Sequence, residues 1–486
     1  MALELDRMDE DQVRTAAKLL ERENERLLRE VLELRQKLSA AQGNSVEQLT
    51  LLAELEQKLA LRNKMLFGRS SEKRGSKSQP GDKAPQPGHG PREQVELGLI
   101  EREHDLDVAD RVCTSCGEPL AEMTGQFEES EEVDVLERQF VLVRHKRKKY
   151  RCRCGGCIET ALGPDKLIKG GRYSVDFAVS VAVAKYADHL PLERQVRVMK
   201  RQGLVVDSQT LWDQLNALAK WLGPTHELLH CYVLQQPVIG ADETFWRLME
   251  SGENKRWQTW AACAPNAVSY RIRDSRSAQA AGEVLDGYVG TILCDGYSAY
   301  ESLKKRGGGF QLAHCWAHVR RKFVEAEDVA PAPCKQVLDL IGELYAVERG
   351  CDTDADHARV RAERSRDVLR RIHAWALEQR ALPQSPLGKA VRYMGDLWPG
   401  LIRFVEDPRL ALDNNATERA LRGVVVGRKN HYGSRSERGT EVAALFYSLI
   451  ESAKLAGVEP DAYLRRAAHA AVRREPIQLP HELATA

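Results

Sequence analysis

Three short segments hold carboxylates in settings suited to work on a phosphate: Gly240-Ala-Asp242-Glu-Thr-Phe-Trp246, Ile292-Leu-Cys-Asp295-Gly-Tyr-Ser298 and Asp413-Asn-Asn-Ala-Thr-Glu418-Arg419. Asp242 and Asp295 each follow an apolar run, as an acid at a strand end would. Glu418 lies in a polar, Arg-rich stretch leading to Gly427-Arg-Lys-Asn430. Three carboxylates brought together cannot all remain ionised without a compensating cation. Oxygen-only donors suit Mg2+ or Mn2+, which bind through a few carboxylates plus substrate phosphates. The chemistry this predicts is metal-dependent attack on a phosphodiester. Blander readings stand beside it. Asp295-Gly is also a turn dipeptide, and Asp413 and Glu441 compete for the third place. On a helix starting near Asn415, Glu418 would pair with Arg422 one turn along. Glu243 faces away from Asp242 if the strand persists.

The elements that must position these acids are legible from periodicity. From Val238 the pattern turns to strands: the Asp242 segment, then Trp257-Gln-Thr-Trp-Ala and Ala267-Val-Ser-Tyr-Arg-Ile as a pair. Ser277 to Leu285 reads as a helix, and Gly290 to Leu293 as a further strand ending at Asp295. Strand, strand, strand, helix, strand, with acids on the first and fourth strands, predicts a ribonuclease-H-like α/β core over 236–430. Residues from about 325 to 408 are charged, helical in pattern and free of strand signals, and read as an all-helical insertion before the third acid. The region 431–486 closes the chain with helices, Glu441 to Lys454 and Pro460 to Arg473.

The preceding half reads as multidomain α+β. Residues 1–66 carry heptads, with Val13, Leu20, Leu27 and Leu34 at d and Ala17, Asn24, Val31 and Leu38 at a. A single Asn among apolar a positions favours a parallel two-stranded coiled coil, hence a homodimer through a leucine zipper. Residues 67–103 are rich in Ser, Gly, Pro and Lys and read as a flexible basic linker. Within 104–165, Cys113-Thr-Ser-Cys116 and Cys152-Arg-Cys154-Gly-Gly-Cys157 form two knuckles. Cys113, Cys116, Cys154 and Cys157 make a tetrahedral structural Zn2+ set, with Cys152 able to replace one of the latter two. Residues 166–235 are helical: Val175 to Tyr186, a helix opened by Pro191 and stopped by Gly203, and another begun at Ser208 as N-cap. The last two form a helix-turn-helix candidate that would offer Gln209, Thr210 and Gln214 to a DNA groove. An ordinary helical hairpin in a core is the competing reading.

At 486 residues the chain calls for several domains. Its formal net charge of +1 conceals basic blocks at Arg62 to Lys77 and Arg144 to Arg153 and an acidic one at Glu128 to Glu137. Such blocks are solvated surface as readily as binding sites. Two basic blocks close to a cysteine cluster make DNA a candidate partner. The N-terminus shows no signal peptide, no apolar run reaches the ~20 residues of a membrane span, and eleven cysteines, five of them bunched, do not form a secreted disulfide framework. The expectation is a soluble intracellular protein.

Taken in order, Leu66-Phe-Gly-Arg-Ser-Ser-Glu-Lys73, Lys185-Tyr, His189-Leu-Pro-Leu-Glu-Arg194, Cys315-Trp-Ala-His-Val-Arg-Arg-Lys-Phe323 and Asp413-Asn-Asn-Ala-Thr-Glu-Arg419 with Gly427-Arg-Lys-Asn430 resemble the insertion-sequence-sixty-six transposases over nearly the whole chain. The resemblance implies a DDE transposase with Asp242, Asp295 and Glu418 as its acidic triad. It also implies two catalytic Mg2+ or Mn2+ ions about 3.5–4 Å apart, with Asp242 bridging them. The enzyme would cleave the ends of an insertion sequence and join them to target DNA. The setting implied is a bacterial cytoplasm at the nucleoid, with helper proteins from the same element as further partners. Gly423 departs from the family's usual Pro, the second cysteine knuckle has an extra Cys, and the Ser434-Arg-Ser-Glu-Arg438 run has no close match. Arg320, Arg321, Lys322, Arg419, Arg428 and Lys429 read as phosphate contacts. His314 and His318, four apart, read either as ligands on one helix face or as a core or phosphate-facing pair. The competing functions are a zipper-dimerised DNA-binding regulator with an inactive core and a structure-specific nuclease that cuts without joining.

Overall fold

The computed structural model describes residues 140–151, 158–250, 253–349, 351 and 353–484. The heptad helix, the basic linker and the cysteines Cys113, Cys116, Cys152, Cys154 and Cys157 lie outside the described residues. A short antiparallel hairpin, β1 (Lys149–Arg151) and β2 (Ile158–Thr160), comes first. Three helices follow: α1 (Val175–Tyr186), α2 (Leu192–Arg201) and α3 (Ser208–Leu234). The Ser174 side chain caps α1, and Gly203 turns the chain between α2 and α3 at φ +85°, where a Cβ is disfavoured. The cap of α3 is Asp207, which accepts from Thr210 N at 2.6 Å; Ser208, expected there, is the first helical residue.

The centre is a five-stranded mixed sheet: β3 (Val238–Glu250), β4 (Glu253–Ala264), β5 (Ala267–Arg273), β6 (Thr291–Cys294) and β7 (Gln311–His314), in the order β5-β4-β3-β6-β7. β3, β4 and β5 form an antiparallel meander, while β6 and β7 run parallel to β3. Helices α4 (Ala278–Val284) and α5 (Ser298–Lys305) make the crossovers into β6 and β7. β7 is a strand the sequence reading missed, and it moves His314 onto a strand end rather than onto a helix with His318. β5 is an outer strand, and its backbone is occupied by side chains. Val268 N donates to Ser452 Oγ at 2.9 Å and Tyr270 N to Ser448 Oγ at 2.8 Å. That covers an edge which could otherwise pair with another chain.

Next come α6 (Trp316–Ala326), α7 (Pro331–Glu348), α8 (Asp354–Val360), α9 (Arg366–Glu378) and α10 (Pro386–Leu401), with a π turn at Arg361–Ser365 joining α8 to α9. Their apolar faces form a separate cluster around Phe323, Ile341, Ile372 and Met394, which meets the sheet through Leu293 and Ala313. The span read above as an insertion, about 325–408, is helical, and α6 begins ahead of it. The chain ends in α11 (Asn415–His431), α12 (Glu437–Leu455), α13 (Pro460–Arg473) and α14 (Pro480–Leu483).

The larger core joins Val179 of α1, Leu215 and Leu229 of α3, Val268 and Tyr270 of β5, Phe446 and Ile450 of α12 and Leu464 of α13. The boundaries expected at 235/236 and 430/431 are therefore not breaks in packing. Gln214 is 7 % exposed within this core, so the side chain expected to face a DNA groove faces the protein instead. A 27-residue α3 has to bury a full stripe, and Gln214 falls on it. Among the described residues no helix is long and apolar enough to cross a membrane.

Candidate acidic site

Strand register brings the two aspartates together. Gly240 of β3 pairs with Leu293 of β6 in parallel as the last pair of that ladder, and Asp242 and Asp295 each lie two residues beyond it. Both acids therefore follow the paired segment at the same end of the sheet, near enough for the Asp295 charge to act on the Asp242 carboxyl. β6 covers β3 only through residues 238–240. From Ala241 onward that side of β3 is open, and α11 lies along it. Asn414 Nδ2 donates to Ala241 O at 2.9 Å, Arg428 bonds Phe245 O, and Ser434 N donates to Arg247 O at 3.0 Å. Seventeen helical residues rise about 25 Å and the strand from 241 to 249 advances about 26 Å, so the lengths match. Glu418, in the first turn of α11, is thereby held beside the aspartates.

Gly240 permits the close approach. A Cβ there would collide with Thr417 Oγ1 and Asn414 Oδ1. Thr417 Oγ1 donates to Asn414 Oδ1 at 2.7 Å, which orients the buried Asn414 amide toward β3. The Asp295 turn is held from the other side. Tyr297 N donates to Asp295 Oδ1 at 2.9 Å, and Gly296 N donates to Tyr393 OH of α10 at 3.3 Å. The helical insertion therefore buttresses the turn that carries the second acid. At the end of β7 the His314 ring packs on Gly400 of α10, and Trp316 N bonds Leu412 O just before Asp413.

The electrostatics of the group follow from burial and crowding. Burial above all, then the Glu243 carboxylate, pushes the Asp242 carboxyl up to about 7; Asp295 and Glu418 add to the rise, against the bond it accepts from Glu243 N at 2.8 Å. Glu243 does not act as a solvent-facing bystander. Its carboxylate is 1 % exposed, accepts from Arg276 Nε at 2.7 Å and from Tyr300 OH at 3.1 Å, and is itself held above the usual range by burial. The Arg276 guanidinium stacks 3.9 Å from the Tyr297 ring centroid. Strand alternation hid this cluster in the sequence, and Arg276 carried no signal there. The side chain facing Glu418 is His318 of α6, Nε2 to Oε1 3.6 Å, rather than Arg422. Glu418 Oε1 and His318 Nδ1 are both buried without a hydrogen-bond partner.

Oxygen-only donors, an orphaned carboxylate oxygen and a carboxyl raised toward neutrality are the chemistry a divalent cation satisfies. Among the described residues, no three His, Cys, Asp or Glu side chains are drawn in closely enough to cage an ion. The donors fit a cation in kind, and a bound ion would have to gather them further. Among the described residues, the two thiols beside the acids are held protonated. Burial pushes Cys315 up to about 11 and Cys294 well above the ordinary thiol value. Of the expected phosphate contacts, Arg320, Arg321 and Lys322 are exposed on α6, and Lys322 pairs with Glu325. Arg419 and Lys429 are exposed on α11, whereas Arg428 is half-buried against β3. Gln209 is exposed and bonds Asp213, and Thr210 is half-buried.

Residues 170–442, more than half of the chain, match the model of the Transposase IS66 family. The chain belongs to this family. Residues 110–155 match the zinc-finger binding domain of transposase IS66, a span that includes Cys113, Cys116, Cys152 and Cys154 and stops before Cys157. Similar proteins come from Sinorhizobium fredii (strain NBRC 101917 / NGR234). Uncharacterized protein y4jD is 32 % identical over 400 residues, 78 % of this chain and 76 % of its own length. Uncharacterized protein y4qI is 32 % identical over 362 residues, 68 % and 66 % of the two chains. Uncharacterized protein y4hP is 26 % identical over 394 residues, 75 % and 71 %.

Proposed function

We propose that this protein is a DDE transposase that cleaves DNA at the ends of an insertion sequence and joins the freed ends to target DNA, with Asp242, Asp295 and Glu418 as its acids. The observation that carries the reading is the β3–β6 ladder, whose last pair lies two residues before Asp242 and Asp295 alike, together with the Asn414 bond to Ala241 O, which ties the start of the Glu418 helix to β3. The sheet order, three antiparallel strands followed by two parallel ones, supports a ribonuclease-H-like core.

Mg2+ or Mn2+ held by the three acids would activate the attacking oxygen and stabilise the leaving one. The chain's own groups prepare for that. Asp242 is held partly protonated near neutrality, so it ionises as a cation arrives. His318 steadies Glu418, and the Tyr297 amide fixes Asp295. Arg320, Arg321, Lys322, Arg419, Arg428 and Lys429 contact backbone phosphates and set the register of the strand. Gln209 and Thr210 remain candidates for DNA contact at the start of α3.

A structural Zn2+ is held by Cys113, Cys116, Cys154 and Cys157, with Cys152 able to replace one of the latter two. The heptad region joins two chains, and proteins from the same element assist. The test is incubation of the protein and Mg2+ with DNA carrying the sequences that flank its gene. Joined products support a transposase. Cutting without joining identifies a nuclease of the same fold, and binding without cutting identifies a regulator.

A further inference from the structure

Beyond the acidic site, at the opposite end of α11, the structure holds a desolvated cation with nothing to balance it. Lys185, near the end of α1, is half-buried, and its Nζ lies 5.4 Å from the Tyr186 ring centroid. Among the described residues it makes no ion pair. Burial first, and then the nearby positive charge of Arg435, pushes its ammonium down to about 8. The surrounding wall is aromatic: the Tyr186 ring meets those of His431, Phe446 and Tyr447. Its histidine supplies no anion. Burial above all, with Lys185 adding to it, drives His431 down to about 3, leaving that ring neutral.

Arg435 is placed by the loop before it. Gly433, at φ +120°, lies where a Cβ would strike Arg247 O, and Ser434 pairs with the β3 backbone on both sides. Arg435 is exposed and makes no ion pair among the described residues. Further along, Arg247 faces Arg256 directly across the β3–β4 ladder, an unfavourable pairing of like charges. Arg256 and Arg428 approach the Phe245 ring at 5.1 and 5.3 Å. Cations gathered in this way without carboxylates raise the free energy of the fold unless an anion joins them.

We propose that Lys185 and Arg435 form a binding site for the backbone phosphates of duplex DNA, separate from the acidic site. The inference rests on the reading of DNA as the substrate. From Glu418 to His431 the helix rises about 20 Å, roughly six base pairs of duplex at about 3.4 Å each. One duplex can therefore touch both ends of α11, anchored at the cationic end while a phosphodiester meets the acids. The Ser434–Arg438 run, which has no close match in the family's motifs, then has a role: it delivers Arg435 to the anchor.

The test compares full-length wild type, Lys185→Met and Arg435→Gln for binding to a random-sequence duplex, in chelator and across a salt series. Each variant is expected to bind about eightfold more weakly at ~0.1 M salt and to shallow the log–log salt slope by about 0.9. Lys185→Met is also expected to keep or raise the melting temperature, because it removes an unpaired cation from a half-buried place. Variants that keep the wild-type affinity and slope overturn the inference and leave the proposed function standing. A lowered melting temperature for Lys185→Met with an unchanged slope assigns the lysine to the fold and also overturns it. If Lys185→Met does not fold, Arg435→Gln on the surface decides by the same slope. A wild-type protein that does not bind the duplex overturns both readings.

Discussion

Asp242 is a carboxyl group whose surroundings oppose its own ionisation. Its folded value near 7 stands far above the ordinary 3.8, so between these values the folded protein holds a proton that the unfolded chain has released. Stability contributed at this position therefore falls as pH rises through the window. Asp242→Asn is expected to raise the melting temperature at pH 8 by several degrees, read by calorimetry; a lowered one would mean the carboxylate is satisfied in place. The same proton competes with a cation. Mn2+ affinity, followed by titration calorimetry, should rise about tenfold per pH unit below about 7 and level off above it. Gly240 is the other telling residue. Gly240→Ala would drive a methyl group into Thr417 and Asn414, with an expected cost of about 1–3 kcal/mol in denaturant unfolding. Cleavage should be lost with it, because the start of α11 carries Glu418.

Elements explain why the site holds its shape and why only part of it could be read from the sequence. The long helices and the meander were legible because caps, Gly turns and alternation agree there: α1 spans Val175–Tyr186 and α13 spans Pro460–Arg473, as the pattern expects. β7 escaped because its four residues run into Cys315-Trp-Ala-His, which reads as helix. The two aspartates were legible because each follows an apolar run; the strand end expected for Asp242 is not there, since it lies inside β3, while Asp295 directly follows β6. What escaped depends on packing between distant segments: Glu243 held by Arg276 and Tyr300, Asn414 turned onto β3, and Tyr393 of the insertion reaching Gly296.

The insertion is itself clamped. Arg361 is 2 % exposed and binds Glu348 through Nε at 2.9 Å and Nη2 at 2.6 Å. Its Nη1 donates to the carbonyls of Phe404, Asp407 and Pro408, just before the Asp413 segment. Arg361→Ala strands Glu348 and three carbonyls, and should cost about 3–5 kcal/mol by denaturant titration. A change below 1 kcal/mol would show that the clamp is dispensable.

At the scale of the whole molecule, helices on both faces of one sheet bury histidines that cannot charge cheaply. His226 bonds Ser448 and His230 bonds Ser269; burial, with Arg271 next, pulls them down to about 3 and about 4. His431 sits near 3 for the same first reason. Unfolding lets all three protonate near 6.5, so their contribution is intact above that pH and is lost as pH falls toward 4. The three rings alone give a slope approaching about 4 kcal/mol per pH unit, about 1.4 for each, and Asp242 opposes them by about 1.4 over the same window, so the net slope is expected to be about 3. Urea unfolding at pH 7, 6 and 5 measures it, and a flat profile would contradict the burial account. The zinc module has a test of its own kind: Cys113→Ser or Cys116→Ser should release the metal in a colorimetric assay.

The most direct measurement of the central claim is paired cleavage and binding by wild type and Asp242→Asn on DNA carrying the element's ends, with Mn2+ present. Three acids acting as one site predict that the variant folds, binds the DNA as tightly as wild type and cuts it at less than about one-thousandth of the rate. Equal cutting by the two proteins would contradict the claim.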